Sequence, residues 1–207
     1  MKNKISNKVD IYEYMAQKVT RYFEKRLELK SDDLERLNLG VTVVLINIFK
    51  MLLVCVAASF FGILKETILL IIVFGSVRVN AVGIHLKSSF LCTVACLIVY
   101  LGDVYLALNY SLNNKVAFFI SIFLVVLLYK YSPADTENRP ILGREHRRKL
   151  KIRTVKIAIL ILIMNLLIGN ELIFNLTMYA FLTEVICISP FTYKLLNKSY
   201  NNYAEYE

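Results

Sequence analysis

His85 and Cys92 are the residues of this chain best suited to chemistry. Of two histidines in all, one stands seven positions before a cysteine at the edge of an apolar stretch, and imidazole with thiol makes a base and a nucleophile. Seven residues of unbroken helix would set the two side chains on one face but about 10 Å apart along the axis. Proton transfer needs about 3 Å, so the backbone must turn between them. Gly83 has the conformational freedom to start such a turn, Leu86 and Lys87 bridge it, and Ser88 or Ser89 can cap the helix that follows. With Ser89 as cap, Cys92 is the third residue of that helix, where free amides and the positive dipole end favour the thiolate. On spacing alone, a packed cysteine beside an interfacial histidine remains an open alternative.

Other ionisable or soft groups are weighed in the same way. Cys92 and Cys96 share a helix face, but two thiols without further ligands make a poor metal site, so no metal and no cofactor is expected. Arg78, seven before His85, either snorkels to lipid phosphate or holds an anion near the site. Lys50 and Glu184 fall deep inside apolar runs, where charges are costly, and are expected to pair with each other.

The elements that must position these groups are membrane helices. The 207 residues are 57% apolar and only 20% charged, with mean hydropathy +0.54, unlike a soluble domain. Apolar blocks run over Val41 to Leu64, Thr67 to Gly83, Ser89 to Leu108, Val116 to Tyr131 and Ile157 to Pro190. The last exceeds one bilayer crossing and is divided at Gly169-Asn170-Glu171, giving an all-α polytopic protein of about six transmembrane helices. Before them, Tyr12, Met15, Val19, Tyr22, Phe23 and Leu27 recur at helical spacing among lysines and arginines. That pattern describes an amphipathic helix, either on the membrane surface or packed beneath the spans. The segment after Asn197 is polar and expected to be loosely ordered.

The net charge of +9 sorts by connection. Nine Lys and Arg precede Val41 and nine more lie between Lys130 and Lys156, while the first, third and fifth connections hold Lys65, Lys115 and none. The positive-inside rule then puts both termini, and the His85 to Ser88 connection, on the cytoplasmic side. Four cysteines inside apolar stretches exclude a disulfide framework. Basic residues that flank spans, without interleaved aromatics on a polar surface, exclude a nucleic-acid binder.

Two stretches carry a resemblance. Arg78-Val79-Asn80-Ala81-Val82-Gly83-Ile84-His85-Leu86-Lys87-Ser88-Ser89-Phe90-Leu91-Cys92 resembles the core motif of the AgrB (accessory gene regulator B) family, and Tyr131-Ser132-Pro133-Ala134-Asp135-Thr136-Glu137-Asn138-Arg139-Pro140-Ile141 resembles its Pro-Ala-Asp-Thr-Glu loop. The resemblance implies a membrane cysteine endopeptidase of Gram-positive quorum sensing that cuts the propeptide AgrD and promotes thiolactone closure. It implies Cys92 as nucleophile and His85 as base, with Arg78 and Gly83 at supporting positions and Asp135 in the second loop, not assigned to a triad. It also implies an AgrD-type propeptide and a homodimer as partners, besides the lipid bilayer. The expected layout is a basic segment over 1–40, a six-helix transmembrane peptidase domain over 41–190 and a cytoplasmic tail over 191–207. The rival class is a small transporter or channel in which Arg78, Lys50 and Glu184 line a polar path; it should tolerate loss of the Cys92 thiol.

Overall fold

The computed structural model describes residues 11–24, 31–84, 89–137 and 140–207. His85 to Ser88, the centre of the first motif, lie outside the described residues. Contacts divide the chain into two units, Met1–Leu53 and Val54–Glu207.

In the first unit, α1 (Ile11–Glu24) and the start of α2 (Ser31–Phe60) meet through a narrow polar seam. The Thr20 hydroxyl lies 2.9 Å from the Ala16 carbonyl and 3.3 Å from the side-chain oxygen of Asn38, and Ala16 and Thr20 are buried. Met15, Val19, Tyr22 and Phe23 are exposed.

The second unit is built around α7 (Glu171–Ile188), whose neighbours are α3 (Leu64–Ala81), α4 (Ser89–Asn109), α5 (Asn114–Tyr131) and α6 (Arg144–Ile168). A short α8 (Pro190–Leu195) and a 3-10 turn (Asn202–Glu205) follow. Phe174, Leu176, Met178, Phe181 and Ile188 of α7 are buried, whereas Ile72, Phe119, Phe123 and Leu167 on surrounding helices are exposed. An apolar exterior around a core that also holds polar groups is what a lipid solvent permits. Several of those polar groups are paired: Asn165 Nδ2 donates to Thr177 Oγ1 at 2.8 Å, and the Thr183 hydroxyl to Asp103 at 2.7 Å. Asn175 both accepts from the Leu112 amide, at 2.8 Å, and donates to its carbonyl, at 2.9 Å, closing the connection between α4 and α5.

Helices stand at all six places where the apolar blocks predicted them. Among the described residues, four are long and apolar enough to cross a membrane: Asp33–Phe60, Phe90–Asn109, Asn114–Tyr131 and Glu171–Ile188. The other two carry charges within their length. In α3 these are Lys65, Glu66 and Arg78, and in α6 the basic first half from Arg144 to Lys156 is continuous with the apolar second half. The break in the last apolar run falls where the composition put it. Gly169 ends α6 in the left-handed region at φ 67°, and the Asn170 side chain accepts from the Ile173 amide at 3.1 Å to start α7.

The polar C-terminal segment is not loose. Asn202 is buried, and its amide and that of Tyr203 donate to the two carboxylate oxygens of Asp135 at 2.9 and 2.8 Å. Arg147 holds Glu207 through two bonds of 2.8 Å. Composition could not reveal this order, because the partners lie some 60 residues away in the second motif and at the head of α6.

Candidate active site

The site is assembled where the C-terminal ends of α3 and α7 meet. Val82 leaves α3 with φ 62° and Gly83 follows with φ 96°, so the chain turns sharply out of the helix. The turn is tied down by backbone groups. The Gly83 amide donates to the Ala134 carbonyl at 2.7 Å, the Ala134 amide to the Ala81 carbonyl at 3.0 Å, and the Ile84 amide to the Cys187 carbonyl at 3.0 Å. Val82 and Ala134 thereby form an isolated parallel bridge, so the two motifs of the sequence are neighbours in space.

Arg78 sits beneath this turn. Its Nη2 donates to the Ile84 carbonyl at 2.6 Å, and its Nη1 lies 3.4 Å from both Glu184 oxygens. Glu184 is fully buried, so the ion pair is held away from water, where loss of one partner is costly. Glu184 is therefore paired with Arg78 of α3, a partner the depth argument, which named Lys50, did not give. The reason is geometric: each residue stands within one turn of its helix's C-terminal end, and those ends meet.

Gly83 closes the arrangement from above. A Cβ there would come within 2.5 Å of Arg78 Nη1, 2.9 Å of Ile188 Cγ2 and 3.0 Å of the Cys187 carbonyl oxygen. Only glycine admits both this approach and this φ. The backbone is thus fixed on both sides of the peptide up to Ile84, one residue before His85.

Cys92 lies in the first turn of α4, which begins at Ser89. It is the fourth helical residue, one later than a cap at Ser89 would place it, and is half-buried. Cys96, one turn on, is also half-buried, and none of the four cysteines is in a disulfide. His85 and Ser88 lie outside the described residues, as does the Ser89 side chain.

Asp135 follows the bridging Ala134 yet serves a different neighbourhood. Both its oxygens bind the C-terminal segment, as above, and its backbone carbonyl accepts from the Tyr193 hydroxyl at 2.7 Å. Burial pushes that phenol well above its ordinary range and raises Tyr200, whose hydroxyl reaches the Tyr131 carbonyl at 3.3 Å, to about 12. Sequence reasoning missed Glu184 as the partner of Arg78, Ala134 as the bridge and Asn202 as the partner of Asp135. A signal for the first was present: if successive spans alternate in direction, the second and sixth run the same way, and Arg78 and Glu184 lie three and four residues from their ends.

The family model described as Accessory gene regulator B matches residues 16–188. A putative AgrB-like protein of Clostridium acetobutylicum is 36% identical over 203 residues, covering 98% of this chain and 97% of that protein. One of Listeria innocua is 32% identical over 168 residues, 81% of this chain and 82% of the relative. The Accessory gene regulator protein B of Staphylococcus aureus is 27% identical over 166 residues, 80% and 84% of the two chains. No solved structure matches. With its two motifs joined at one bridge and its length covered by these relatives, the chain belongs to the accessory gene regulator B family.

Proposed function

We propose that this chain is a membrane-embedded cysteine endopeptidase that cuts an AgrD-type quorum-sensing propeptide and leaves it ready for thiolactone closure. The observation that supports it most is the rigid seat under Ile84. The backbone entering His85 is held by Arg78, Cys187 and Ala134, and the next helix opens with Cys92 in its first turn.

In this reading His85 takes the proton of the Cys92 thiol, and the thiolate attacks a propeptide carbonyl. The proton passes from His85 to the leaving amine, the C–N bond breaks, and the C-terminal piece departs from a Cys92 thioester. A cysteine thiol within the retained peptide then attacks that thioester. Its proton goes to the Cys92 sulfur, one thioester replaces another, and the ring closes without an external energy source. Water would divert the thioester to a linear acid, so a site at the membrane edge suits the chemistry. Ser88 and Ser89 would start the Cys92 helix, Asp135 would keep the second motif in place, both termini would be cytoplasmic, and the active unit would be a homodimer.

The test is co-expression with a candidate propeptide, followed by peptide mass. The intact chain yields a shortened peptide, and Cys92→Ala and His85→Ala yield none. Cleavage surviving Cys92→Ala would sink the proposal.

A further inference from the structure

A cavity of about 610 Å³ opens between the end of α5, the head of α6 and the C-terminal segment. Its walls carry five cations: Lys130, Arg144, Arg147, Arg148 and Lys151. One of these is already neutralised, since Glu207 binds Arg147 and also accepts from the Gly143 amide at 2.6 Å. The α6 N-terminus is therefore occupied by a side chain of the protein itself and is not the vacancy. Lys130 and Lys151 instead rest over the rings of Tyr131 and Tyr129, each 5.2 Å from the centroid.

The cavity also stands where the apolar span Asn114–Tyr131 ends, the level at which Tyr and Lys anchor spans among headgroups. Its volume is that of a small-molecule site, not of a groove for an extended peptide.

We propose that this cavity is a phosphate site that seats the headgroup of an anionic glycerophospholipid. Arg144, Arg148, Lys130 and Lys151 neutralise the phosphate. The proposal does not depend on the peptidase reading, because binding is read without cleavage.

Native mass spectrometry of the full chain in detergent micelles, titrated with phosphatidylglycerol or phosphatidylcholine, tests it. One phosphatidylglycerol is retained at concentrations where phosphatidylcholine is not. At about five-fold per charge removed, Arg148→Gln/Lys151→Gln weakens that adduct roughly 25-fold. Arg153→Gln, a charge loss on the same helix but off the cavity, changes it less than two-fold. Helical melting curves check each variant's fold, and single substitutions replace a double variant that does not melt cooperatively. Equal retention of both lipids, or a double variant matching Arg153→Gln, overturns the site. Displacement of the lipid by submillimolar inorganic phosphate overturns the lipid as its source, and displacement by hexaglutamate at equal concentration overturns it in favour of an acidic peptide.

Discussion

Gly83 carries more constraint than any other residue near the site, because its φ and its surroundings exclude a methyl group for separate reasons. The left-handed backbone alone costs an alanine about 1–2 kcal/mol, and the 2.5 Å approach to Arg78 adds to it. Gly83→Ala is expected to lower both the melting temperature and propeptide cleavage. Arg78 and Glu184 separate those two effects. Removing either alone leaves a buried charge and costs about 3–5 kcal/mol, while replacing both with apolar groups of similar size is close to neutral. Arg78→Met/Glu184→Met should therefore regain the thermal stability lost in Glu184→Met. It should stay defective in cleavage, because the Ile84 carbonyl no longer has its guanidinium donor. A double variant that cleaves normally would show that the pair matters for folding only. At this scale the turn after Arg78 and the part of Gly83 in it were legible because residue type and spacing are local properties. Glu184 was legible only as a costly charge, since its partner is fixed by which helix ends meet.

Elements were easier to read than residues. Apolar block lengths place a helix at each expected position, and Gly169-Asn170 announces the α6–α7 turn, since glycine at a left-handed C-cap followed by an asparagine N-cap is local turn chemistry. Gly169→Ala has open space for its methyl. It should cost only the left-handed penalty of about 1 kcal/mol, lowering the melting temperature slightly while leaving cleavage intact. The C-terminal segment was illegible for the opposite reason. Its sequence is polar and unpatterned, and its order comes from Asp135, which two amides and the Asn202 side chain grip. Asp135→Ala should release this segment, seen as faster proteolysis after Leu196. A segment that stays protected would mean the Arg147–Glu207 pair suffices to hold it.

For the whole molecule, acidity has a defined point of action at the exposed C-terminal end. Hydrogen bonds from Arg147, and then from the Gly143 amide, hold the Glu207 carboxyl down from its ordinary 4.5 to about 2. A carboxyl depressed in the docked state contributes docking that is complete above about pH 4.5 and is lost as the pH falls towards 2. Pepsin nicking of the C-terminal segment should therefore be slower in the intact chain than in Arg147→Gln near pH 4.5, with the rate ratio approaching one near pH 2. A ratio that does not change with pH would remove Glu207 as the latch. The charge surplus, read first as an orientation signal, has in the structure at least one local use, since Arg147 spends its charge on Glu207.

The bridge between Val82 and Ala134 is made only of amides and carbonyls. An alanine scan will pass over it in silence, because Val82→Ala keeps the same hydrogen bonds and position 134 is alanine already. What it cannot survive is a change of register: one residue inserted between Pro133 and Ala134 would misalign every donor and acceptor. Spacing within each motif should thus be guarded more strictly than the identity of the residues that bridge them, and insertions, not substitutions, are the perturbation that will find the joint.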